Sequence, residues 1–552
     1  MLKTFYVGPP GTGKTESLIR KTEEILKKGI QATEIAYISF TTVAAKEARN
    51  RAIDNFPDIP ERQFRHFQTL HSLCYDNVPD LRDNTMTSSD YAAMGKLIPV
   101  NWMDFKKGIV WEAPTDMEGR LTTANPYLRT SHTAAVKKIP VMEYFEEVRD
   151  HRIKRSILEK LDEEFTRYKK ENYLYDFNDY LVEFCKLPSS LTPKFKILIV
   201  DECQDLSPLQ WDCIKKMMAE SELEEIYFAG DDDQAIYEWA GADVNQFRSL
   251  ADTCDKVIHL EASHRVPASA HALAEAVIAN DTGRIQKKYL PAPIPGGVKY
   301  HVPSIDHTIN DIKSRMERGW TTLILASFKK PLKDAERALR SAGLRFESAS
   351  TSGLNETLVE LINIWERWRK GNHKIAGTQV KQMYKYLATG TGVARGFKTG
   401  AKSPDDLEDY TVEDCIEKYG LLVRGPWYEA FEKIKDSEKQ YMRQIENSGR
   451  KLTDPPMIRV STISSIKGAE ADNVIVYTDI PYPEVLQMQK GNNEVHRKFY
   501  VAVTRTKRKL TILLPQRYSN AYPLNRLAAD IEELELSKIT APEPIEVREE
   551  RL

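Results

Sequence analysis

The chain has 552 residues, 41% of them hydrophobic and 29% charged, with a formal net charge of −2. At roughly 100–200 residues per domain this length implies about three to five units, and the apolar content excludes disorder through lack of burial. No run approaches the ~18 apolar residues of a spanning helix, so no membrane association is expected. The near-neutral charge excludes a uniformly basic nucleic-acid binder but leaves local basic patches open.

Six cysteines (Cys74, Cys185, Cys203, Cys213, Cys254, Cys415) form no CxxC pair. That usage suits free thiols in a reducing cytoplasm rather than disulfides or a zinc site. The opening residues MLKTFYVGPPGTG carry no signal-peptide apolar region with a small-residue cleavage site. The expected location is cytoplasmic, with nucleoid association in a cell.

In chain order, a strand over Thr4–Val7 runs into GPPGTGKT and then into a helix carrying Leu18, Ile19, Ile25 and Leu26. A second strand, Ile35–Phe40, and a helix over 42–53 follow at βαβ spacing, which opens a parallel α/β sheet. Residues 81–174 change character, with prolines, aromatics and then a long charged helix over Ile153–Glu171; they are expected to form an inserted helical subdomain. The sheet returns with KILIVDE (196–202) and IYFAGDDD (226–233), each an apolar strand ending in carboxylates.

A second α/β unit is expected over 266–369 and 451–552, with strands at LILASF (323–328), IRVSTIS (458–464), VIVYT (474–478) and KLTILLP (509–515) and a helix over Leu358–Arg369. A reduced second insertion, 370–450, interrupts it. The segment 366–402 sets nine Lys and Arg against one acidic residue; taken alone, such a run is more often a solvated face than a binding site. The first unit is then 1–80 with 175–265.

Gly8–Thr15 satisfies G-x-x-x-x-G-K-[ST] between a strand and a helix. Backbone N–H groups of Gly8, Pro9, Pro10, Gly11, Thr12 and Gly13, proline nitrogens excepted, can converge on phosphate oxygens at a helix N-terminus, with Glu16 next in line. Lys14 would reach the β/γ-phosphates, and Thr15 with Asp201 would hold Mg²⁺. Glu202 would polarise the attacking water. ATP and Mg²⁺ are therefore the expected cofactors. In isolation a carboxylate pair at a strand end is as often a solvated junction; the phosphate loop changes those odds.

Beyond this point the motifs carry a resemblance. DECQDLSPLQ (201–210) and GDDDQAIYEWAGA (230–242) resemble motifs II and III of the UvrD/Rep/PcrA helicases of superfamily 1. AYISFTTVAAKEARNR (36–51), FQTLHSL (67–73), DFNDYL (176–181), LEASHR (260–265), STISSIKGAEADNVIV (461–476) and EVHRKFYVAVTRTK (494–507) resemble others in the family's order. The resemblance covers roughly half the chain and implies two RecA-like motor domains, each with a mainly helical insertion. It implies that Gln234 senses the γ-phosphate, that Arg265 and Arg505 are arginine fingers, and that Glu470, with Gly468, contacts the ribose. His264 would stack on adenine in place of the usual tyrosine. Phe40, Tyr237 and Trp239 would stack bases, which is sequence-tolerant because every base has a π-face. Thr41, Thr69, His71 and Thr462 would touch the sugar-phosphate backbone.

The chain departs from the family in several places. No glutamine precedes the phosphate loop to read adenine; Ala240 stands for an arginine after the motif III tryptophan; Ser464 and Ala471 replace the motif V histidine and phenylalanine. The implied function is an ATP-dependent translocase and helicase moving 3′→5′ on single-stranded and tailed duplex DNA, with replication or repair proteins as partners. The alternative is a remodeler that uses the same motor to displace bound proteins with little strand separation.

Overall fold

The computed structural model describes residues 1–40, 42–79, 81–98, 123, 125–150, 152–348 and 354–533, in two compact units. One comprises Met1–Ile294 with Lys490–Thr504; the other comprises Pro295–Gln489 with the described residues from Arg505 onward.

The first unit is built on six parallel strands: β1 (Leu2–Val7), β2 (Ile35–Ser39), β3 (Phe67–Thr69), β4 (Ile197–Val200), β5 (Glu225–Gly230) and β6 (Lys256–His259), in the order β3-β2-β4-β5-β1-β6. Helices cover both faces, so the inner strands are continuous apolar runs whose alternate residues serve opposite cores. Phe5, Val7, Ala36, Ile38, Leu198 and Val200 enter one cluster. Tyr6, Ile35, Tyr37, Ile197, Ile199 and Tyr227 enter the other. Parallel register places Val7 beside Gly230 and His259, and Val200 beside Phe228. The loops after β1, β4 and β5 therefore emerge at one carboxyl edge, where ligands of such sheets bind.

The first insertion holds helices Ser88–Gly95, Pro126–Lys137, Val141–Val148 and Arg155–Asn172 around a separate core that includes Tyr91, Met94, Tyr127, Leu128, Leu158 and Leu161. A short parallel pair, β7 (Ala262–Pro267) and β8 (Leu290–Ala292), flanks the helix Ala268–Ile278. The helix Glu494–Val503 packs on that helix and on the turn Asp232–Gln234. Residues 266–294 and 490–504, assigned from sequence to the second core, thus pack in the first unit.

The second unit carries β9 (Gly297–Val302), β10 (Thr322–Ala326) and β11 (Glu347–Ser348), then, after the insertion, β14 (Ile458–Thr462), β15 (Ala471–Tyr477) and β16 (Thr506–Leu513). Their order is β11-β14-β10-β15-β16-β9, again all parallel. The insertion contributes the helices Gly377–Tyr386, Val412–Lys418, Trp427–Ala430 and Asp436–Asn447, and the two-residue antiparallel strands β12 (Ile375–Ala376) and β13 (Asp409–Tyr410). Its Tyr384, Trp427, Phe431 and Met442 share one core with Trp365, Trp368, Ile458 and Val460, so this insertion is fused to its sheet. The architecture is the expected α/β class of two RecA-like parallel sheets with mainly helical insertions.

Candidate functional site

Between β1 and the helix Lys14–Lys27 the chain needs two left-handed residues, Gly11 at φ 79° and Gly13 at φ 84°, which glycine adopts without strain. Packing forbids a side chain at Gly11 as well, because a Cβ there would lie 2.7 Å from Ser263 Oγ and 2.9 Å from Arg265 Cβ. The strand β7 is fastened to the loop: His264 N–H donates to Gly11 O at 2.8 Å, Ser263 Oγ–H to Pro10 O at 3.2 Å, and Tyr289 O–H to the same carbonyl at 3.0 Å. That leaves Arg265 half-buried beside the loop and the His264 ring exposed. Thr12 Oγ1–H closes the loop on Pro9 O at 2.8 Å, and Gly8 N–H donates to Gly230 O at 3.3 Å.

Lys14 is buried, its ammonium donating to Gly8 O at 2.7 Å and Pro9 O at 3.3 Å. Burial lowers its proton affinity, opposed by the carboxylates of Asp231, Glu202 and Asp201. Thr15 Oγ1–H donates to Asp201 Oδ2 at 2.8 Å, and Tyr37 O–H to the same oxygen at 3.3 Å. Asp201 is 1% exposed, and burial pushes it up to about 6, with the Glu202 charge adding to the rise. Glu16 is committed to Arg20 and Arg51. A hydroxyl and a carboxylate meeting below a helix N-terminus form a donor set that suits a hard divalent cation carrying phosphate oxygens. The residues present therefore fit a magnesium–nucleotide complex.

The next carboxyl-edge loop is more heavily built. Glu202 takes a left-handed conformation, φ 56°, and accepts from Gln204 Nε2–H; Gln204 Oε1 accepts from Asp231 N–H at 3.1 Å. Gly230 leaves room for that bridge, since a Cβ there would strike both Gln204 and Phe247. Asp231, Asp232 and Asp233 are 0% exposed and surround the ammonium of Lys287, which lies 2.7 Å from Asp231 and 2.9 Å from Asp233 and also pairs with Asp232. Arg248 adds a contact to Asp232 at 3.0 Å and Arg284 one to Asp233 at 2.9 Å. Among the described residues this is the only trio of His, Cys, Asp or Glu ligand atoms close enough for a metal ion, and a lysine already supplies its cation. Gln234 Nε2–H donates to Asp231 Oδ2 at 2.8 Å, so the same aspartate positions Gln234 and receives Lys287.

Sequence reasoning missed Gln204, Lys287 and Arg497. Arg497 is 3% exposed and donates to Ala235 O at 2.8 Å, to Asp281 at 2.8 Å and to Glu238 at 2.7 Å. Gln204 and Arg497 sit inside the motifs quoted above, where position alone could have flagged them. Nothing local marks Lys287.

Past Gln234 the chain turns through Tyr237 and Trp239. The Phe40 and Tyr237 rings lie 5.2 Å apart and those of Tyr237 and Trp239 6.4 Å apart, a contiguous aromatic array. Trp239 is 37% exposed, with its indole N–H on Ile236 O at 3.1 Å. The structure does not bring Thr69 and His71 to a surface. Both are buried; Thr69 caps the helix Leu70–Asn77 by accepting from Ser72 N–H at 3.3 Å, and His71 lies in its first turn. Thr41 lies outside the described residues. Thr462 ends β14 in the second unit, half-buried, its hydroxyl 2.8 Å from Ser465 Oγ. In that unit Gly468 stands at φ 90°, Glu470 pairs with Lys507, and Arg505 is buried, its carbonyl accepting from Ala471 N–H at 3.1 Å.

Two family models match: the UvrD/REP helicase N-terminal domain over residues 3–255 and the UvrD-like helicase C-terminal domain over 429–517. Among similar curated proteins, an ATP-dependent DNA helicase PcrA of Staphylococcus epidermidis is 23% identical over 468 residues, 79% of this chain and 60% of its own. The ATP-dependent DNA helicase Rep of Escherichia coli is 24% identical over 51% of this chain and 43% of its own, and a probable DNA helicase of Mycoplasma pneumoniae 26% identical over 44% and 46%. The chain thus spans less than two thirds of the length of each of these relatives. Among the described residues no helix is long and apolar enough to cross a membrane.

Proposed function

Because the chain belongs to the UvrD/Rep/PcrA-like helicases, we propose that it is an ATP-driven motor on single-stranded DNA that moves 3′→5′ and separates duplex strands. The observation that carries this reading is the short span from Asp231 to Trp239. Asp231 faces the phosphate loop electrostatically and fixes Gln234, while five residues later Trp239 offers a partly exposed indole beside Tyr237 and Phe40. One braced loop therefore serves two ligands.

In this reading Lys14 leaves the carbonyls of Gly8 and Pro9 for the β/γ-phosphates, and Thr15 and Asp201 hold Mg²⁺. The ion, when bound, offsets charge on the phosphate oxygens. Glu202, oriented by Gln204, positions the attacking water, and Gln234 reports the γ-phosphate position to the aromatic array. Arg265, half-buried beside the loop, is assigned the first finger, and His264 the adenine face. Gly468, Glu470 and Arg505 are assigned through the family's motifs V and VI. Base stacking worth ~1–3 kcal/mol per base grips any sequence equally.

The test is ATP hydrolysis with and without single-stranded oligonucleotides of mixed sequence. We expect a low basal rate, strong stimulation by every sequence, and loss of most of that stimulation in Trp239→Ala at an unchanged basal rate. A Trp239→Ala protein stimulated like wild type would remove the coupling role. Displacement of a bound protein from DNA without strand separation would favour the remodeler instead.

A further inference from the structure

The basic run 366–402 does not behave as one face. Arg369 and Lys370 are spent on Glu366 at 2.6 and 3.1 Å, and Lys402 lies over the Phe397 ring. Lys381, Lys385 and Lys398 converge, joined by Lys433 from outside the run. Thr378, Lys381, Gln382 and Lys385 follow the i, i+3, i+4, i+7 spacing of one face of the helix Gly377–Tyr386. Lys433 is delivered beside the end of that helix by its N–H donating to Tyr386 O at 3.0 Å, and Lys398 comes from a third segment, its ammonium on Leu387 O. Together they line an open pocket of about 470 Å³ with a single carboxylate, Asp406, which sits 3.1 Å from Lys381.

Solvated surface lysines spread apart, since like charges repel. Here Lys398 and Lys433 are held together, and burial plus the second ammonium pushes Lys398 down to about 8. A shared anion removes that repulsion. We propose that this pocket of the second insertion is a phosphoryl-anion site, taking either a backbone phosphate of duplex nucleic acid or a free phosphorylated ligand. The pocket contains no residue of the phosphate loop and lies wholly within the second unit, so it stands apart from the nucleotide reading.

The test uses the full chain without nucleotide and a fluorescent blunt DNA duplex titrated at several salt concentrations. The pocket variant is Lys398→Gln with Lys433→Gln; the control is Lys418→Gln with Lys451→Gln, two exposed lysines of the same unit. For a backbone-phosphate source, the pocket variant should lose about ten-fold in affinity near 0.1 M salt. Its slope of log affinity against log salt should shrink by about 0.9, the contribution of the one phosphate that the two lysines share. The control should change little, and Lys398→Arg with Lys433→Arg should restore binding. For a free ligand, duplex binding holds, but calorimetric titration with inorganic pyrophosphate, run in a Lys14→Ala background to silence the phosphate loop, loses its signal in the pocket variant. Unchanged binding of both probes, or an equal loss in the control, overturns the proposal. ATP hydrolysis by the pocket variant, measured alongside, is expected at the wild-type rate, so a fault in the nucleotide reading shows separately.

Discussion

The ammonium of Lys14 rests on two carbonyl oxygens of its own loop, so its loss removes a cation and two hydrogen bonds. Lys14→Ala should therefore abolish ATP hydrolysis while costing only about 1 kcal/mol in a denaturant melt, the usual scale of a net hydrogen bond. Wild-type turnover would refute its role. Lys287 is the contrasting case, with its side chain 1% exposed inside three carboxylates. Lys287→Met strands those charges and is expected to cost ~3–5 kcal/mol, the range for breaking a buried pair. A Lys287→Met protein as stable as Lys14→Ala would show the aspartates to be neutral in the fold. The two lysines also differ in how they could be read. Lys14 announces itself through eight contiguous residues. Lys287 acts only through partners that folding brings to it, and its surroundings, RIQKKY, resemble any surface stretch. Thr69 and His71 show the limit of motif position in the other direction, since it says nothing of their burial at the start of the helix Leu70–Asn77.

Elements with strong periodicity emerged from sequence close to where they lie, because β1, β4, β5 and β15 are buried on both faces and read as apolar runs. The edge strands β6 and β9 were missed, since half-exposed stretches such as KVIH carry no such signature. Two features of the first insertion's helix Pro126–Lys137 could not be read at all. Gly241, at φ 104°, closes the turn after Trp239 so tightly that a Cβ would meet Val136 of that helix at 2.5 Å. Gly241→Ala should thus cost ~1–3 kcal/mol and weaken DNA stimulation with it, because strain and clash act together. Stability equal to wild type would mean the loop is free to shift. His132, on the same helix, is fully enclosed, and burial holds it down to about 4. Its unfolded form takes up a proton near pH 6.5, so between those values the unfolded state binds more protons and stability falls as pH falls. Complete protonation below about pH 4 corresponds to roughly 3 kcal/mol. The acid-side drop in melting temperature should shrink in His132→Gln; an unchanged pH profile would place the titration elsewhere.

At the scale of the molecule, two parallel sheets of six strands each were legible as a class, because two series of apolar strands alternate with helices along the chain. The partition between them was not. Residues 490–504 are the clearest case, since Arg497 binds Asp281 and Glu238, which lie 216 and 259 residues earlier in the chain. The second insertion shares its sheet's core rather than forming its own. In the proposed function the phosphate loop, the Asp231–Gln234 turn and the aromatic array work as one directional motor. Strand displacement on duplexes bearing a 3′ or a 5′ single-stranded tail, with ATP and Mg²⁺, tests it most directly. The 3′-tailed duplex is expected to separate and the 5′-tailed one to stay paired, with no activity in Lys14→Ala. Equal separation of both substrates, or separation that persists in Lys14→Ala, would contradict it.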